Sequence, residues 1–236
     1  MKRYTTRDII VLAAIAALFI WYFGRSRFRT WEEGVMFIVA LVVAVTFHEF
    51  AHAFVALRLG DSTAKLLGRV SLNPMRHLDL WGSMTFLFIG FGWGKPVPIN
   101  PYQMRGISPR LGYAISALAG PTSNVLLAFI ATIPVRLAYP DLASMDRTFV
   151  QFLGMLISLN IALAAFNFLP IPPLDGFSLA RLFLPLEVSA WLERYGMIVL
   201  LALVFLPQFI APQFNILRIV IGPIQAVIES IVYAGI

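Results

Sequence analysis

Phe47-His48-Glu49-Phe50-Ala51-His52 lies inside an otherwise apolar run from Val35 to Leu57. A run of that length and character is a membrane-spanning helix, and three ionisable side chains inside one are costly unless they do something. Helical residues four apart share a face, so His48 and His52 present two imidazoles to one point. Glu49, one position on, is placed to activate a metal-bound water rather than to ligate the metal. That is the His-Glu-x-x-His spacing of zinc hydrolases. A pair of core histidines is the bland alternative, and hydrocarbon makes it a poor one.

The rest of the chain agrees with a membrane setting. It has 236 residues, 59% hydrophobic and 13% charged, against about 25% charged in soluble domains. We expect an all-α polytopic membrane protein with one domain over 1–236. Six spans are expected, at about Ile9–Phe23, Val35–Leu57, Tyr113–Ala138, Phe149–Leu169, Leu192–Leu206 and Ile216–Val232. The sixth is interrupted by Arg218 and Glu229 and can lie partly in the interface. The first could pass for a signal peptide, but a basic stop at Arg25, Arg27 and Arg29 makes it an uncleaved span. Between spans two and three, Trp81 to Trp93 is too short to cross and reads as re-entrant, interfacial or strand-like. Gly94-Lys95-Pro96-Val97-Pro98-Ile99-Asn100-Pro101 must be extended, because alternate prolines remove donors and fix φ. Such a segment either pairs with a substrate strand or is a stiff linker.

The +6 balance, from 18 Lys and Arg against 12 Asp and Glu, fits lipid headgroups and topology and not nucleic acid, since no basic run interleaved with aromatics occurs. With six spans, twelve of the Lys and Arg fall on one side and five on the other, Arg218 set aside. The positive-inside rule then puts both termini in the cytoplasm, with His48 and His52 in the cytoplasmic half of span two. Span four emerges on that same side at Pro170-Ile171-Pro172-Pro173-Leu174-Asp175-Gly176.

With no cysteine in the chain, any metal is held by nitrogen and oxygen, and an open zinc site needs a third protein ligand. Asp175 fits best, because consecutive prolines break the helix and let a carboxylate turn inward. Alone it would read as an Asp-Gly turn. His77 sits in a polar loop after a proline and is a weaker candidate. Asn167 and Asn124 are candidates for positioning substrate or stabilising an oxyanion. For Asn124 and Asn160, interhelical hydrogen bonding is the alternative.

These motifs resemble the site-2 protease family of intramembrane zinc metalloproteases. The matching elements are His48-Glu49-Phe50-Ala51-His52, Ala119-Gly120-Pro121-Thr122-Ser123-Asn124 and Asn167 through Gly176, with Gly94 to Pro101 similar to the family's extended segment. They cover about Val35 to Leu184. The resemblance implies one Zn2+ ion on His48, His52 and Asp175, Glu49 as general base, and Asn167 near the scissile carbonyl. It implies regulated intramembrane proteolysis of a transmembrane protein substrate, in a multi-pass cell-membrane protein. PDZ and CBS domains common in the family are not expected, so the chain looks like a compact prokaryotic member. A divalent-metal transporter using the same ligands is the competing reading from another class, and a proteolytically silent scaffold a third. Span one carries no Asp, Glu or His for a transport path, and span five none beyond Glu193 at its edge; a scaffold has no use for Glu49.

Overall fold

The structure is a computed structural model, and it describes residues 30–77, 79, 82, 94–139, 141, 144–210 and 216–234, with side chains omitted at 205–210 and 216–218. Helix α1 spans Trp31–Arg58 and is followed by one turn, α2, at Thr63–Leu66. A 3-10 turn at Pro74–Arg76 precedes the extended segment, and another at Pro101–Gln103 closes it. Then come α3 (Pro109–Ala138), α4 (Arg147–Asn167), α5 (Asp175–Ala180), α6 (Leu186–Ile210) and α7 (Ile216–Val232). The described residues contain no strand. Among the described residues three helices, α1, α3 and α4, are long and apolar enough to cross a membrane. The first expected span and most of Trp81 to Trp93 lie outside the described residues.

Local sequence explains the ends of these helices. Thr30, Ser108 and Asp146 each cap a helix with a side-chain oxygen that accepts from the third residue on, which satisfies one of the backbone donors a helix start leaves free. Pro109 follows Ser108 at the first helical position of α3, where its missing N–H costs nothing. The last turn of α4 runs into Pro170, Pro172 and Pro173, which cannot continue it.

The three long helices pack through small residues. Ala40, Ala44, His48, His52 and Ala56 of α1 recur every four positions and are all buried. They meet a stripe on α3 that includes Ala117, Gly120, Asn124, Ala128 and Ala131. Small faces let helix backbones approach in lipid, where no hydrophobic force distinguishes protein from acyl chain. Large apolar side chains such as Phe47, Phe54, Leu126 and Ile130 point outward instead. Ala44 meets Asn124 and His52 meets Ser116, so α1 and α3 are antiparallel. The short connection 139–146 returns α4 antiparallel to α3.

Helix α7 corrects the topology expected from charge. Ile221 and Ile224 pack with Leu169, Leu174 and Leu200 near the end of α4 and also with the cluster in which Ile228 and Val232 join Ala131 and Leu153. Arg136, near the end of α3, donates from its guanidinium to the carbonyls of Val232 at 2.7 Å and Ala234 at 2.6 Å. Helix α7 therefore runs parallel to α3, and its carboxyl end lies at the opposite end of the bundle from His48, His52 and Asp175. The expectation that this end shares a side with those residues assumed that α6 crosses. Gly196 and Leu200 of α6 instead sit against Pro172 and Leu169, at the end where α7 begins.

Candidate metal centre

Helix α1 delivers His48 and His52 to one face, and α5 delivers Asp175 as its first residue. The Nε2 atoms of His48 and His52 lie 3.0 Å apart. Asp175 Oδ2 is 3.2 Å from the first and 3.4 Å from the second. A tetrahedral zinc ion with bonds of about 2.0–2.1 Å to nitrogen and oxygen has ligand–ligand edges of roughly 3.3 Å. Among the described residues these three are the one group of metal-ligating side chains gathered this closely.

The protons in the site show what the cluster can hold. His48 donates from Nδ1 to Asn124 Oδ1 at 2.7 Å, and His52 donates from Nδ1 to the Ser116 carbonyl at 2.8 Å. Each imidazole carries its proton on the outer nitrogen and turns a bare lone pair inward. Asp175 Oδ2 is buried with no hydrogen-bond partner. With both imidazoles neutral, three lone pairs converge on one point, which repels unless a cation sits there. The residues fit a zinc ion.

Asn124 is fully buried between α1, α3 and α4. Its Nδ2 donates to the Ala44 carbonyl at 3.1 Å and to Asn160 Oδ1 at 2.7 Å, and Asn160 Nδ2 donates to the Leu156 carbonyl at 2.8 Å. Both amide hydrogens of Asn124 are committed, so it has none to offer an oxyanion. Its oxygen accepts from His48, so its contacts are the interhelical ones. Asn167, the last residue of α4, is half-buried and donates to the Leu163 carbonyl at 2.9 Å, which leaves a second N–H on the same amide. His77 stands apart from the trio, buried with Nε2 at 2.6 Å from the Ser71 carbonyl.

Glu49 does not join the three ligand atoms. Its Oε1 lies 3.1 Å from where a Cβ on Gly94 would sit, so the extended segment starts against this carboxylate. Both ends of the segment are pinned. Lys95 donates its N–H to the His77 carbonyl at 2.8 Å and accepts at its own carbonyl from the Arg69 guanidinium. At the other end Asp61, fully buried, accepts from the backbone N–H groups of Asn100 and Thr63.

Three residues here had no individual role expected from the sequence. Arg69 is buried; burial pulls its guanidinium below the usual arginine range, and the Glu49 carboxylate opposes that shift. Asp61 shows its part only in the fold, where it is buried and bonded to two backbone N–H groups. Gly120 read as part of a motif, yet a Cβ there would lie 2.3 Å from His52 Nε2 and 2.7 Å from His48 Cε1. Two imidazoles pass over a bare backbone at that point.

A family model described as Peptidase family M50 matches residues 132–207. Three similar proteins are each named "Putative zinc metalloprotease". YwhC of Bacillus subtilis is 41% identical over 177 residues, which cover 72% of this chain and 80% of that protein. Rip2 of Mycobacterium tuberculosis is 31% identical over 219 residues, covering 88% and 80%. MJ0611 of Methanocaldococcus jannaschii is 28% identical over 178 residues, covering 74% and 83%. No solved structure matches the chain.

Proposed function

Because the chain belongs to peptidase family M50, the site-2 proteases, and is a membrane zinc metalloprotease, we propose that it cuts a transmembrane protein substrate within or beside the bilayer, in regulated intramembrane proteolysis. The observation that carries this reading is the convergence of two bare imidazole nitrogens and one unpartnered carboxylate oxygen between apolar spanning helices, beside a second carboxylate, Glu49. We assign the catalytic core to about 35–184.

His48, His52 and Asp175 would hold one Zn2+ ion. When bound, the ion supplies Lewis acidity, which lowers the pKa of water and polarises a carbonyl oxygen. Glu49 takes the proton of the attacking water and returns it to the leaving amine. Asn167 offers its second N–H to the oxygen on which charge develops. The carbonyl under attack must be free of helical hydrogen bonding, so the substrate unwinds locally and lies extended. The segment 94–100, held at both ends by Lys95, Arg69 and Asp61, offers it a stiff template.

Of the twelve Lys and Arg residues between 30 and 234, only Arg136 and Arg147 fall at the end of the bundle away from the trio. Arg218, in the first turn of α7, adds to the other end. That asymmetry supports a multi-pass cell-membrane protein with the active site toward the cytoplasm. The carboxyl end of α7 then faces the opposite side.

Reconstituted with a single-span substrate, the protein is expected to cut a bond in the membrane-embedded or adjoining stretch. A chelator should abolish the cut and Zn2+ restore it. Cleavage mapped by mass spectrometry to a soluble domain, or unaffected by metal removal, overturns the proposal. Asn124→Ala removes the acceptor that fixes the His48 tautomer and leaves a buried N–H unpaired. It is expected to weaken zinc binding about 10- to 100-fold, read by competition with a chelating dye. Wild-type affinity in that variant would show that Asn124 does not orient His48.

A further inference from the structure

A cleft of about 310 Å3 opens between the Pro101–Gln103 turn, the start of α3 and α5, with Tyr102, Arg110, Tyr113, Ser178 and Arg181 in its walls. We propose that it is a substrate subsite that takes an acidic side chain of the protein being cut. The inference rests on the protease reading above and adds a sequence preference to it.

Position ties the cleft to the reaction. Helix α5 opens with Asp175, and Ser178, three residues on, lies on the same face. On α3, Tyr113 precedes by three residues Ser116, whose carbonyl holds His52. The cleft is thus about one helical turn from the metal ligands on two separate elements. It also continues the extended segment. Gly94 touches Glu49, and six residues later the chain reaches Asn100 and then Pro101, a wall of the cleft. At roughly 3.3 Å per residue the segment reaches at most about 20 Å. A substrate strand laid along the segment has the general base at one end and this cleft at the other.

The chemistry of the walls selects a carboxylate. Arg181 is already paired with Glu193 at 2.7 Å. Arg110 has no carboxylate within ion-pair distance among the described residues, so the cleft keeps an uncompensated positive charge. Two phenols and the Ser178 hydroxyl add hydrogen-bond donors, and no acidic residue lines it. A guanidinium with hydroxyl donors around it is the usual partner of a carboxylate. An anionic lipid headgroup would satisfy the same charge. Continuity with the segment and with α5 favours the chain that is cut.

The test uses the full chain in liposomes and a single-span substrate that it cleaves. Asp, Asn or Lys is placed one position at a time in the cytosolic stretch beside the cut bond. Wild type is expected to prefer Asp over Lys at one short window by about fivefold in kcat/KM, the scale of a partly exposed ion pair. Arg110→Gln should flatten that ratio, and Arg110→Glu should invert it toward Lys. The same Asp-to-Lys ratio in wild type and Arg110→Glu overturns the subsite. So does a change that affects every substrate equally and follows the anionic-lipid content, which would mark a lipid site. Failure here leaves the dependence of cleavage on Glu49 intact, whereas failure of the protease reading removes it.

Discussion

Glu49→Gln is expected to slow peptide cleavage by about 10²- to 10⁴-fold, the usual contribution of a general acid–base, while zinc content and thermal stability stay at wild-type values. Gln keeps the shape and length of Glu, so packing against Gly94 survives. What it lacks is basicity, since a neutral amide takes no proton from water at any working pH. The three converging ligand atoms belong to His48, His52 and Asp175, so Glu49→Gln removes none of them. Cleavage is followed on a reconstituted membrane substrate, with metal measured by mass spectrometry of the same sample. Undiminished cleavage with zinc bound eliminates Glu49 as the base. Loss of zinc on substitution would instead make Glu49 a ligand.

The contrast between Glu49 and its neighbours explains what could be read from the sequence. The imidazole pair was legible because a four-residue period is a property of any helix. Asp175 was legible because three prolines within four residues, Pro170, Pro172 and Pro173, end a helix wherever they occur. Both rest on local backbone rules. Asn124 was only half legible. Its burial in a spanning helix predicted a hydrogen bond to another helix, but nothing local tells an amide facing His48 from one facing a substrate. That depends on how α1, α3 and α4 rotate against one another. Arg69 was invisible for the same reason, since only the folded loop brings it to the Lys95 carbonyl. The direction of α7 failed at a different step. Charge counting assumes that each apolar stretch crosses the bilayer, and hydropathy does not separate a crossing helix from one that packs against a single end of the bundle.

Gly120→Ala is expected to empty the metal site by adding a single methyl group. The new Cβ would lie 2.3 Å from His52 Nε2, 2.5 Å from His52 Cε1 and 2.7 Å from His48 Cε1, all far inside van der Waals contact. Relief must come from one of two movements. If α3 withdraws from α1, the bonds from His48 to Asn124 and from His52 to Ser116 lengthen together, since both acceptors sit on α3. If the imidazoles rotate away, their Nε2 lone pairs leave the point they share with Asp175. Either way the metal loses its ligands directly, so the loss of zinc affinity should exceed the roughly 10- to 100-fold typical of an outer-shell change. Cleavage should fall with it. Gly154, on α4, is the control: a Cβ there meets nothing within 4 Å, so Gly154→Ala is expected to retain zinc and activity. Zinc stoichiometry of the two variants, purified in the same detergent and compared by helical content, separates eviction of the metal from general unfolding. A folded Gly120→Ala protein with a full complement of zinc would mean that the two imidazoles do not pass over this glycine, and the site built on them would have to be redrawn.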